Sequence, residues 1–348
     1  MASSLGDLVE RNHHVFPGFQ DAYLCHLESL RTRGIEVSGS RGTSSLEHLS
    51  QVFRIANPRR RLITCPARKA NLAFCFGEVL WYLAGRDDRE TLEYYAPSIG
   101  RFYYTPSRAE GAAGTALVGT GYGPSIFGPV KGVSSQWDGV VAALREDMGS
   151  KRAFIVIARP EEDRSLANPD VSCTMALQFL LRPDGLHMVT YMRAVDAYFG
   201  CVTDVFSFTF LQELLARQLG VPLGTYTHFI GSHHLFGKDY RRADVLLSQR
   251  NLAVEISDRM PAMPTGDNWA YVHEVMQIEE QLRTNRLRLG STSLSGLGLP
   301  LFWTHVVAVL ELYRQTRFGM TGSVRELSEM LPNNYRVMMY NRFPALRH

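Results

Sequence analysis

Apolar residues recur at helical intervals in FQDAYLCHLESLRTR, and this spacing predicts a first helix over about 17–33. NLAFCFGEVLWYLAG is apolar nearly all round, which predicts a buried helix over about 70–84 carrying one isolated acid, Glu78. Short apolar or alternating stretches predict strands in RAFIVIARP and in ALQFLLRPDGLHMVTYMRA, the latter folded into a hairpin at RPDG. VFSFTFLQELLARQLG has the length and spacing of a buried helix over 205–220 ending at Gly220, and TYTHFIGSHHLF returns to strand-like character. Beyond about 260, helix-like runs such as WTHVVAVLELYRQT mix with loops. Strands and helices in this irregular order predict an α+β fold, not a repeating βαβ one.

The glycine-rich span AEGAAGTALVGTGYGP, 109–124, predicts a long mobile loop, and it lacks the spacing of a phosphate-binding P-loop. No repeat and no Pro/Ser/Gly linker divides the 348 residues, so they read as a single domain with inserted loops. A formal charge of +3 is too small to argue for a nucleic-acid surface but is compatible with a small anionic substrate. Apolar runs are broken by Glu78, Arg217 and similar residues before the roughly 18 to 20 needed to cross a bilayer. The opening MASSLGDLVERNHH has no basic stretch followed by an apolar one, so the expectation is a cytoplasmic protein without a membrane or nucleic-acid partner. Five cysteines, an odd number without a C-x-x-C pair, indicate neither a disulfide framework nor a metal site, and leave room for one reactive thiol.

The segment YMRAVDAYFGCVTD, 191–204, sets Arg193, Asp196 and Asp204 among apolar and aromatic residues. Charges in such surroundings are rarely buried unless paired or bound to something, the alternative being a solvated amphipathic face. About 20 residues upstream, Cys173 stands in NPDVSCTMALQF at the edge of a predicted strand, where a structural thiol is the ordinary reading. The ordered run of this cysteine, Q-F, Y-x-R-x-x-D, a glycine, an acid and then G-S-H-H-L-F resembles the thymidylate synthase family. SRGTSSL at 40–46, GEVLWYLAG at 77–85, GPSIFG at 123–128 and SKRAFIV at 150–156 extend the resemblance over about 35–245, while the part from about 260 does not align. The resemblance implies the thymidylate synthase fold: a mixed sheet with surrounding helices, in one catalytic domain over 1–348, with sheets packed back to back in a homodimer.

It also implies roles. Cys173 would add to C6 of a pyrimidine nucleotide, making C5 able to take a one-carbon unit from 5,10-methylenetetrahydrofolate, with no metal required. Arg193 would bridge the thiolate and the substrate phosphate, and Arg41 with Lys151 and Arg152 from the second subunit would complete the phosphate site. Glu78 would order water and move protons beside the ring, Asp196 would hold the pterin of the folate, and Trp81, one turn from Glu78, would lie at the same cofactor site.

Several positions depart from the synthase pattern. Asp204 stands where the synthases carry an asparagine that reads uracil; an ionised carboxylate only accepts, so it opposes uracil O4 and suits the 4-amino group of cytosine. Ala194 replaces a serine, and in the family's H-x-Y, His234 is followed by Phe236, which removes the hydroxyl expected at the 3′-oxygen of deoxyribose. No tryptophan occurs between Trp81 and Trp137, where RFYYTPS stands, and the chain closes on NRFPALRH, so water is expected to reach the C5 methylene. The set resembles the CMP 5-hydroxymethylases of mildiomycin-type nucleoside antibiotic biosynthesis. The expected activity is C5 hydroxymethylation of CMP, with dCMP hydroxymethylation, C5 methylation of a cytidylate, and a non-catalytic nucleotide-binding protein as alternatives.

Overall fold

The computed structural model describes residues 15–38, 43–97, 116–117, 119–130, 132–166, 168–250, 257–319 and 324–347. In chain order the elements are β1 (Val15–Phe16), α1 (Phe19–Arg33), β2 (Ile35–Ser38), β3 (Ser44–Ile55), α2 (Leu72–Leu83), α3 (Arg89–Tyr95), α4 (Tyr122–Phe127) and α5 (Gln136–Glu146). They continue through β4 (Phe154–Val156), β5 (Thr174–Arg182), β6 (Gly185–Asp196), α6 (Gly200–Leu219), β7 (Leu223–Phe236) and α7 (Tyr240–Ser248). The last helices are α8 (Trp269–Arg283), α9 (Ser291–Ser295), α10 (Leu301–Phe318), α11 (Val324–Met330) and α12 (Asn333–Arg342). The chain divides into two compact units, one of residues 1–70, 143–154 and 174–262, the other of residues 71–142, 155–173 and 263–348.

The first unit is organised by a mixed sheet in the order β1-β3-β7-β6-β5-β4, with β2 paired to β3. β5 and β6 form the antiparallel hairpin expected at RPDG, with Arg182 opposite Gly185. Gly185 has φ 139°, and a Cβ there would lie 2.7 Å from the Pro222 carbonyl oxygen, so a side chain is excluded at the corner. β6 and β7 run parallel in a register that sets Ala194 beside Ser232 and Asp196 beside His234. Their inward residues, Leu186, Met188, Met192, Val195, Tyr226, Ile230 and Leu235, are buried, and α6 packs on β6 with Val205, Phe208, Leu211 and Leu215 fully covered.

α6 begins at Gly200, five residues before the expected 205. The reason is local. Asp196 Oδ1 accepts hydrogen bonds from the Tyr198 and Phe199 amides at 2.9 and 3.3 Å, folding the chain sharply out of β6 so that the helix starts within the mixed polar segment. Periodicity sees only the apolar run that follows. At its other end α6 stops at Gly220, in the left-handed conformation with φ 69°, as the sequence indicates.

The second unit is helical. α2 is buried along its length, Glu78 included at 5% exposure, and Asn71 caps it by accepting from the Phe74 amide at 3.1 Å. α10 is covered from Phe302 to Gln315 and packs against α8 and α2. Arg314 is buried against Glu311 through two bonds of 2.7 Å and reaches Asn285 at 2.8 Å, so the charges in this core are paired. Among the described residues no helix is long and apolar enough to cross a membrane.

Candidate active site

In the first unit, six of the residues singled out from the sequence meet where β6 and β7 end and α6 begins. Ala194 and Asp196 leave β6 beside Ser232 and His234 of β7, and Phe236 follows two residues on, 4.8 Å from the His234 ring. Cross-strand partners face the same way, so Ala194, Asp196, His234 and Phe236 share one face of the sheet; Arg193, the residue before Ala194, is exposed. Asp204 comes up from the first turns of α6. A Cβ at Gly200 would lie 3.6 Å from both Asp196 Cβ and Asp204 Oδ2, which brings both acidic residues close to this glycine.

The polarity of this corner is visible in its titrating groups. Burial raises the Asp196 carboxyl above its ordinary value, opposed by the Tyr198 amide, by His234 and by the Phe199 amide. Burial and then Asp204 and Asp196 hold the Cys201 thiol well above the usual range, so this cysteine stays protonated. Ser232, beside Ala194, donates to Glu47 at 2.5 Å.

Two arginines escaped the sequence reading. The Arg68 guanidinium lies over Tyr198 at 4.8 Å and Phe199 at 5.0 Å, and Arg242 lies over Phe199 at 5.8 Å. Arg68 also donates to the Tyr23 hydroxyl at 3.2 Å, and Arg242 to Asp239 at 2.8 Å. Next to Asp196 they make a cationic, aromatic platform. The residues come from separate stretches of chain, so no local pattern marks them.

Lys151 and Arg152 precede β4 and are both exposed; the Lys151 carbonyl accepts from Gln178 Nε2 at 3.3 Å. Arg41, RFYYTPS and half of the glycine-rich loop lie outside the described residues.

The second unit holds Cys173, Glu78 and Trp81. Cys173 is half-buried at the end of an irregular segment, immediately before β5. Glu78 and Trp81 are three residues apart on α2, hence neighbours on its surface. Trp81 is oriented by its indole N–H, which donates to Asp88 Oδ1 at 3.2 Å; Arg86 donates to the same oxygen at 2.6 Å. Among the described residues no group of histidine, cysteine and carboxylate side chains is arranged to hold a metal ion.

The sequence model of the thymidylate synthases matches residues 21–287. The chain belongs to the thymidylate synthase family. Thymidylate synthase A of Bacillus subtilis, a thermostable enzyme, resembles it with a TM-score of 0.55 and 20% identity, over 66% of this chain and 84% of that one, which shows the shared fold. Two phage proteins are similar in sequence, both described as deoxyuridylate hydroxymethyltransferases. That of Delftia phage PhiW-14 is 29% identical over 53% of this chain and 51% of its own, and that of Bacillus phage SP01 is 28% identical over 59% and 54%. The chain thus spans about half the length of these relatives.

Proposed function

We propose that this chain, acting as one catalytic domain, hydroxymethylates C5 of CMP. The products are 5-hydroxymethyl-CMP and tetrahydrofolate; 5,10-methylenetetrahydrofolate supplies the one-carbon unit and water the hydroxyl. The observation that carries this reading is Asp204, whose carboxylate stands beside Gly200 and Asp196 at the start of α6. A carboxylate there accepts from the 4-amino group of cytosine and disfavours uracil O4. Hydroxymethyl transfer is supported by the similarity to the phage hydroxymethyltransferases.

In this reading Cys173 Sγ attacks C6 of the base, and Arg193 with Arg41 and the partner's Lys151 and Arg152 hold the phosphate. Glu78 orders water and handles protons near the ring. The folate fits what the chain presents: Asp196 suits the pterin's N–H donors, and Arg68, Phe199 and Arg242 suit the aminobenzoyl ring and the glutamate carboxylates joined to it. Trp81 is assigned to the same cofactor. The protein works in the cytoplasm, in nucleoside antibiotic biosynthesis.

A second reading, dCMP as substrate, is favoured by the deoxyribose in the relatives' descriptions; against it stand Ala194 and Phe236, which lack hydroxyls. Mass analysis of product from CMP, dCMP, UMP and dUMP, each with methylenetetrahydrofolate, decides between them. Product from CMP heavier by one hydroxymethyl group is expected; turnover of uracil nucleotides alone would overturn the cytosine assignment.

A further inference from the structure

Cys173 is delivered by a segment whose described residues, 157–166 and 168–173, are in neither helix nor strand. A nucleophile must nevertheless be fixed closely, since a displacement of about 1 Å can cost on the order of 100-fold in rate. We infer that Glu162 and Gly119 are positioning residues for the Cys173 thiol, fixing from two sides the backbone that carries it; the inference rests on the reading of Cys173 as nucleophile.

The first side is a hydrogen bond. The Ser172 amide, one residue before the thiol, donates to Glu162 Oε1 at 2.6 Å, a short bond to a carboxylate. Glu162 Oε2 is buried with no hydrogen-bond partner among the described residues, so the whole carboxylate is turned inward toward this one amide. A carboxylate on a loop gains more by facing water, unless the position of the amide matters.

The second side is a close approach. Asp170 Oδ2 accepts from the Gly119 amide at 3.0 Å and Oδ1 from the Thr120 hydroxyl at 2.8 Å. The backbone then crosses Gly119 so tightly that a Cβ there would sit 2.2 Å from the Asp170 carbonyl oxygen and 2.9 Å from the Ser172 nitrogen. Any side chain at 119 must push the 170–172 backbone away. Asn168 closes the segment on itself, donating to the Asp163 and Asp170 carbonyls at 2.7 and 3.2 Å and accepting from the Asp170 amide at 3.1 Å. Two contacts from different parts of the chain thus converge on residues 170–172, directly before Cys173.

The test compares Glu162→Ala, Glu162→Gln and Gly119→Ala, with Cys173→Ser as control. Each is assayed for kcat and KM with CMP, for thermal midpoint, and for the pH dependence of Cys173 alkylation by iodoacetamide, followed by peptide mass. Glu162→Ala and Gly119→Ala are expected to lower kcat by about 10- to 100-fold with KM changed less than about threefold. Glu162→Gln, which keeps an oxygen for the Ser172 amide, should stay within about fivefold of the parent. The alkylation midpoint should move by about half a pH unit or more in the alanine variants and hold in Glu162→Gln, which separates a lost hydrogen bond from a lost charge. Should Glu162→Ala fail to fold, the Gly119→Ala and Glu162→Gln results carry the test. Parental kcat and alkylation profile in Gly119→Ala and Glu162→Ala, with Cys173→Ser inactive, would overturn the positioning role alone. Full turnover by Cys173→Ser would instead overturn the nucleophile on which it rests.

Discussion

At the scale of single residues, the proposed cytosine site differs from a uracil-reading one by a few atoms. Asp204→Asn exchanges a carboxylate for a group with a donor, so uracil O4 gains a partner and the cytosine 4-amino group keeps an acceptor. The expected change in the CMP:UMP ratio of kcat/KM is about 10- to 100-fold toward UMP, corresponding to about 1 to 3 kcal/mol for one matched contact on a base edge. Competition between the two nucleotides measures it, and an unmoved ratio removes Asp204 from base recognition. On the same proposal the sugar is read elsewhere. Ala194 and Phe236 occupy the same face of the sheet, near Ser232 and His234, so Ala194→Ser with Phe236→Tyr places two hydroxyls where the parent has none. Each neutral hydrogen bond is worth about 0.5 to 1.5 kcal/mol, and the double variant is expected to shift preference about 10-fold toward dCMP. A parent that already prefers dCMP would refute the ribonucleotide assignment and leave hydroxymethyl transfer standing.

At the scale of elements, α1 is docked onto β3 and β7 through histidines that only their neutral form allows. His26 of α1 lies 5.3 Å from the Phe53 ring and 5.6 Å from His233, Phe53 stacks on His228 at 5.1 Å, and Tyr226 Oη is 2.7 Å from His228 Nδ1. His48 is the cross-strand partner of His233. Burial, reinforced by the neighbouring histidines, lowers His26 to about 4 and His228 to about 3, and holds His233 well below its ordinary range. The unfolded chain therefore takes up protons near pH 6.5 while the folded one does not, and stability falls as pH drops from about 6.5 toward 4. Each such group contributes a slope of about 1.4 kcal/mol per pH unit in that window. His26→Gln should flatten the dependence by about one proton, read from urea unfolding at pH 7, 6, 5 and 4.5. An unchanged slope would mean that His26 titrates normally in the folded protein.

At the scale of the whole molecule, one sheet face of the first unit carries exposed apolar residues. Tyr191 and Phe229 stack there at 5.4 Å with 37% and 40% of their surface exposed, and Arg193 follows Tyr191 on the same face. An exposed aromatic pair on a sheet suits a second copy of the same face, the isologous contact of a twofold dimer. Tyr191→Glu is expected to give a monomer in sedimentation, with activity lost. If Lys151 and Arg152 serve the partner's phosphate site, an inactive Cys173→Ser chain mixed with an inactive Lys151→Ala/Arg152→Ala chain should recover about a quarter of parental activity, since half the dimers then hold one intact site. No recovery from dimers that exchange subunits would place both cations in their own protomer's site or outside the site.

By itself the sequence determined the residue chemistry and the elements with the clearest apolar pattern, though not β3 or α8. The 2.0 and 3.6 periodicities of β5, β6, β7, α1 and α2 are local consequences of which face each element buries, and the ordered spacing from Cys173 to Phe236 carried the family resemblance. It did not determine where α6 begins, because the turn that starts it is made by the Asp196 carboxylate and not by apolar spacing. Nor did it show Arg68 and Arg242 around Phe199, or Glu162 and Gly119 beneath the Cys173 segment. These contacts join residues far apart in the chain, and their strength lies in distances of a few ångströms that spacing along a sequence does not encode. Tertiary structure therefore decided which charged groups share an environment, and hence which of them can bind, titrate or hold a backbone in place.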